Sequence, residues 1–114
     1  MSQMISYGRE LLRINTQKNT IEYSTDNGRN WHSRYTGSCC GSFYDLFDFG
    51  GEILCCCSKG IFYSRDSGRN WHSRYTGSSF GSFHQLSSDG SKLLVTTDKG
   101  LLYSTDDGRN WHKR

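Results

Sequence analysis

An all-β fold of three repeated units is predicted by three observations on the sequence. First, Ser24, Ser64 and Ser104 each open the same eight-residue turn, at a spacing of 40 residues. The turn reads Ser-x-Asp-x-Gly-Arg-Asn-Trp in all three copies, and a fixed period of this length marks stacked supersecondary units. Second, 13 Gly and no Pro among 114 residues fit short strands joined by tight turns. Third, apolar residues follow no helical period anywhere along the chain.

The units align without a gap as 1–40, 41–80 and 81–114, one array over 1–114. In the middle unit, Ser42–Phe47 predicts a first strand and Gly50-Gly51 a turn. Ile53–Cys57 predicts a second strand, Ser58-Lys59-Gly60 a tight turn, and Ile61–Ser64 a third strand. The Asp66-Ser67-Gly68 turn leads to a fourth, Asn70–Tyr75. In the third unit Phe83 matches Phe43, and Leu93-Leu94-Val95 matches Ile53-Leu54-Cys55. The first unit drifts most, with strands expected at Gln3–Tyr7 and Leu11–Asn15. Four antiparallel strands per unit describe the blade of a β-propeller. Three blades do not close a ring, because propellers use four to eight. Two chains supply six, so closure predicts a homodimer about a twofold axis.

Composition narrows the class further. Units of roughly 38 residues cannot bury a core alone, so stability must come from stacking. A net charge of +3 with mixed signs makes no case for nucleic acid. No stretch approaches the ~20 apolar residues of a membrane span. Met1–Tyr7 lacks the basic and apolar regions of a signal peptide. The five cysteines, Cys39, Cys40, Cys55, Cys56 and Cys57, come in adjacent runs. Neighbours on a strand point to opposite faces, which suits neither a disulfide framework nor a metal-ligand spacing. They are expected as small strand residues kept reduced in the cytoplasm.

The repeated turn has its own chemistry. Asp26, Asp66 and Asp106 can accept bonds from backbone N–H groups of the bend. Gly28, Gly68 and Gly108 can take positive φ. Trp31, Trp71 and Trp111 can cover the hairpin with their indoles. Repeated in register over the whole chain, this turn resembles the Asp-box of the BNR (bacterial neuraminidase) repeat family, with Asn30, Asn70 and Asn110 where Thr is usual. The resemblance implies a propeller, with the box joining the third and fourth strands on the side away from the usual ligand site. It implies a scaffold role for the box residues. The sialidase activity found in the family is not expected here. The chain has no Pro for an Arg-Ile-Pro segment, and Glu10, Glu22 and Glu52 form no catalytic constellation. No closely spaced carboxyl pair for a retaining glycosidase can be argued either. No metal or cofactor is expected. His32, His72 and His112 lie on separate blades and are read as outer-strand surface residues.

A binding site is expected on the opposite face. Its loops are Lys18-Asn19, Lys59-Gly60 and Lys99-Gly100 between second and third strands, with Arg34–Ser38 and Arg74–Ser78 between blades. Gly28–Ser38 is identical to Gly68–Ser78 over eleven residues. Arg34, Arg74, Lys59 and Lys99 are the candidate anion contacts, because Arg binds phosphate or carboxylate with two parallel bonds. Tyr35, Tyr75 and Tyr44 are candidate stacking rings, and His84 joins them from the inner strand. Tyr44, Asp45, His84 and Gln85 are expected around a central channel. The resulting expectation is a non-enzymatic binding protein that captures, and thereby sequesters, a small polar and anionic ligand such as a nucleotide or acidic sugar. A lectin-like glycan binder and a protein-interaction scaffold are the alternatives.

Overall fold

The computed structural model describes residues 4–36, 41–49, 51–76, 80–90 and 92–114. The expected stretches at Cys39, Cys40, Gly50 and residues 77–79 lie outside them. Among the described residues, twelve strands form three antiparallel sheets of four. Blade 1 holds β1 (Met4–Tyr7), β2 (Glu10–Asn15), β3 (Thr20–Ser24) and β4 (His32–Tyr35). Blade 2 holds β5 (Phe43–Phe49), β6 (Glu52–Cys57), β7 (Gly60–Ser64) and β8 (His72–Tyr75). Blade 3 holds β9 (Phe83–Asp89), β10 (Lys92–Thr97), β11 (Gly100–Ser104) and β12 (His112–Lys113). Each sheet pairs consecutive strands only. The fourth strand begins later than the sequence suggests, since Asn70 and Trp71 belong to the turn.

The blades stack face to face, and β6 shows why its sequence is a continuous apolar run. Side chains alternate across a strand. Ile53, Cys55 and Cys57 join Leu12, Ile14 and Ile21 of blade 1 in one core. Leu54 and Cys56 join Leu86, Leu93, Val95 and Leu102 of blade 3 in another. A strand buried on both faces has no place for alternating polar residues. The three cysteines of β6 are buried thiols. Burial pushes the Cys56 thiol well up, helped by the charge of Asp45 across the ladder. That keeps it protonated and unreactive.

Tight turns lock the ends of the strands. At Gly60 (φ +127°) a Cβ would collide with the Tyr75 carbonyl oxygen, so only glycine fits. Cys57 Sγ and Thr97 Oγ1 occupy the same repeat position. Both donate to the turn glycine's carbonyl, on Gly60 at 3.3 Å and Gly100 at 2.8 Å. Chemically different residues therefore close the same turn.

Candidate binding face

One end of the stack is built from the Asp-box turns. Asp26 Oδ1 accepts from the Asn30 N–H (2.9 Å) and the Ser24 hydroxyl (2.7 Å). Ser24 Oγ in turn accepts from the Gly28 N–H (2.8 Å). The same bonds recur at Ser64–Asp66 and Ser104–Asp106. Asn30, Asn70 and Asn110 add a side-chain bond to the second carboxylate oxygen at 2.7, 2.7 and 2.6 Å. These bonds to the ionised form hold all three carboxyls at about 2. The Asn30 N–H leads at Asp26 and the Ser104 hydroxyl at Asp106, while at Asp66 the Asn70 and Ser64 bonds outweigh burial. Every polar atom of the Asp side chains thus serves the turn. Trp71 and Trp111 are buried against Phe43 and Phe83.

Arg34 and Arg74 stand at this end too, rather than on the opposite face as their sequence position suggests. Arg34 holds Glu10 with two bonds (2.8 and 2.7 Å), stacks on Tyr23, and donates to the Ser67 carbonyl at 2.9 Å. Arg74 holds Glu52 (3.0 and 2.6 Å), stacks on Tyr63, and donates to the Asp107 carbonyl at 2.9 Å. Their side chains are 4% and 3% exposed. Each is a latch from one blade to the Asp-box of the next, and neither is offered to a soluble anion. The guanidinium groups keep Glu10 and Glu52 below the usual carboxylate range. The partner glutamates carry no signal in the repeat, since they lie 24 and 22 residues from their arginines.

Tyr35 and Tyr75 are also structural neighbours. Tyr35 meets Phe43 edge-on at 6.1 Å, and Tyr75 packs on Phe80 and Phe83. Asp45 does not face a channel. It is fully buried and accepts the Leu86 N–H at 2.9 Å, tying β5 to β9. His32, His72 and His112 are exposed beside Tyr23, Tyr63 and Tyr103. No group of metal-ligating side chains occurs among the described residues.

The far end brings Tyr44 and His84 together. Their half-buried rings lie 6.1 Å apart, on the adjacent inner strands β5 and β9. His84 Nε2 meets Asp98 Oδ1 at 2.6 Å, and Asp98 Oδ2 accepts the Ser82 N–H at 2.9 Å. Those two contacts, the Ser82 N–H first, hold the Asp98 carboxyl below its ordinary value. Both His84 and Asp98 remain about half exposed. Lys59 and Lys99 are exposed at the β6–β7 and β10–β11 turns of this end. In blade 1 the same position is Asn19, whose side chain bonds Gly41 O and the Phe43 N–H. Sequence reasoning missed Asp98. Its signal is the change from Ser58 to Asp98 at one repeat position, together with Tyr44 to His84 at another.

Three stacked four-stranded antiparallel sheets with box turns at one end define a propeller-like repeat protein. The BNR/Asp-box repeat family model matches residues 22–33 and 102–113, so the chain carries BNR/Asp-box repeats. Three solved structures share the fold. One is YCF48 bound to D1 peptide, at TM-score 0.70 and 17% identity over 92% of this chain and 37% of that one. YCF48 from Cyanidioschyzon merolae gives 0.65 and 21% over 93% and 40%. The GH74 enzyme of Niastella koreensis gives 0.61 and 16% over 92% and 17%. The chain therefore spans two fifths or less of each of these structures. No curated protein matches it in sequence.

Proposed function

We propose that the chain is a non-enzymatic recognition module. It would capture a small polar ligand against Tyr44 and His84, with Lys59 and Lys99 attracting an anionic group. The observation that carries this reading is the Tyr44–His84–Asp98 cluster. It pairs half-exposed rings with fixed polar atoms at the end that the box turns leave clear. Rings of this kind stack on a base or a sugar, and the exposed lysines supply charge without a rigid fork. By contrast, a cleft at the box end, lined by Phe49, Ser88, Lys92, Ser104 and Asp107, holds about 140 Å³. That is well short of the roughly 300 Å³ at which small-molecule pockets begin.

Asp98 is not set up as a general acid. A general acid needs a carboxyl raised toward neutrality, whereas Asp98 is lowered by its Ser82 and His84 contacts. Sequestration of a nucleotide or an acidic sugar in a reducing cytoplasm is the use we favour. Native mass spectrometry of protein purified from cells, followed by calorimetric titration with nucleoside phosphates and sialic acid, tests it. His84→Ala is expected to lower affinity about tenfold or more with little change in melting temperature, and Tyr44→Ala to lower both affinity and melting temperature, because that ring also packs on the core of blades 2 and 3. Lys59→Ala with Lys99→Ala is expected to remove the preference for anions. A ligand whose affinity is indifferent to all four changes would overturn the site. A peptide ligand is the second reading, favoured by the similar fold of a YCF48 structure that is bound to a peptide. The same variants assayed by peptide array distinguish it.

A further inference from the structure

The latch that joins the blades occurs three times in the sequence and closes twice in the structure. Arg34, Arg74 and Arg114 are 40 residues apart. The first two are buried and donate to Ser67 and Asp107, the residues that follow the box Asp. Among the described residues Arg114 instead is 41% exposed, meets the edge carboxylate of Asp89 at 3.0 Å, and donates its backbone N–H to the Leu101 carbonyl. The whole flank around it repeats this contrast. Ile21 and Ile61 are fully buried, but Leu101 at the same repeat position is 39% exposed. Ile14 and Leu54 are buried, but Leu94 is only half so.

Box 1 is the matching half. Asn27 holds the same left-handed backbone as Ser67 and Asp107, at φ 63°, 64° and 64°. Gly68 packs on Arg34 and Ile21, and Gly108 packs on Arg74, whereas Gly28 has only Trp31 and Leu11 of its own blade beside it. Met4, the other exposed large apolar side chain among the described residues, lies on the same flank, across the ladder from Arg13.

We propose that blade 3 docks head to tail on blade 1 of a second copy of this chain, with Arg114 donating to the carbonyl of Asn27 of the partner subunit and Leu101 covering Gly28 of the partner subunit. The occupant is a second copy because the exposed flank continues the repeating blade interface. The acceptor that interface uses is the carbonyl following a box Asp, which this chain carries in box 1. Two copies bring the ring to six blades, within the range in which propellers close. The leading flank of blade 1 differs from its equivalents, since Arg13, Asn15 and Glu22 replace Ile53, Cys55 and Phe62. Glu22 already accepts from Arg13 at 2.8 Å and from Asn15 at 3.3 Å. Closure therefore strands no charge but gains less apolar burial than the internal interfaces, which makes the dimer reversible.

Sedimentation velocity of the purified chain over micromolar concentrations tests this. The expected result is a monomer–dimer equilibrium. Leu101→Asp, Arg114→Ala and Met4→Glu should each weaken association by about tenfold or more, with cooperative melting retained. All three residues are substantially exposed, so the variants should fold. A wild-type chain that stays monomeric throughout overturns the proposal, and so does an assembly of any size other than two. A dimer abolished by Leu101→Asp yet indifferent to Met4→Glu also overturns it, because blade 3 would then be pairing with blade 3.

Discussion

At the scale of single residues, the Asp-box is a hydrogen-bonding device whose function is structural. Ser64 is fully buried and links Asp66 to the Gly68 N–H. Ser64→Ala leaves that N–H without its partner and is expected to cost about 1–3 kcal/mol, read by urea denaturation. Arg74→Ala leaves Glu52 with Arg65 as a partner (3.0 Å) but takes the donor from the Asp107 carbonyl, and should cost roughly 1–3 kcal/mol in the same measurement. The three box carboxyls bear on pH. Their folded values of about 2 lie below the unfolded value of about 3.9. Their stabilisation is complete above the unfolded value and disappears as pH falls through the folded one. The melting temperature is therefore expected to hold down to about pH 4 and then drop steeply toward pH 2, as calorimetry would show. Asp66→Asn should flatten part of that drop.

At the scale of the element, the same repeat position has different values according to what faces it. Leu54 in β6 is buried against blade 3, while Leu94 in β10 looks out from the stack. Leu54→Ala is expected to cost about 2–5 kcal/mol, and Leu94→Ala about 1 kcal/mol or less, in urea unfolding of the dilute chain. The strands themselves were legible in the sequence. Gly60 and the box turns punctuate them, and the alternation in β10 separates buried Leu93 and Val95 from the outer Leu94. The start of the fourth strand was not legible. Trp71 has the apolar character of a strand residue, yet its indole donates to Gly68 O and keeps the backbone in the turn.

At the scale of the whole molecule, the blades are held by several kinds of tie. These include the two apolar cores, the arginine latches at the box end, the Asn19 bonds to Gly41 and Phe43 at the far end, and the Asp45–Leu86 bond between inner strands. All of these join blade to blade, whereas the His84–Asp98 contact lies within blade 3. That contact can therefore vary without loosening the stack. The ties also explain why the repeated Arg-Tyr pairs misled as ligand contacts. A residue repeated in every blade is repeated because every blade junction needs it, whereas Asp98 and His84 appear once.

The chain by itself determined the period, the three sheets and the box chemistry. These depend on local alternation and on turn residues only a few positions apart. Tertiary structure decided where the charged groups went. Arg34 reaches Glu10 and Ser67, and Arg74 reaches Glu52 and Asp107. His84 finds Asp98 only because neighbouring hairpins of blade 3 converge at one end. A side chain's partner across such separations is set by stacking and register, and no local pattern encodes either.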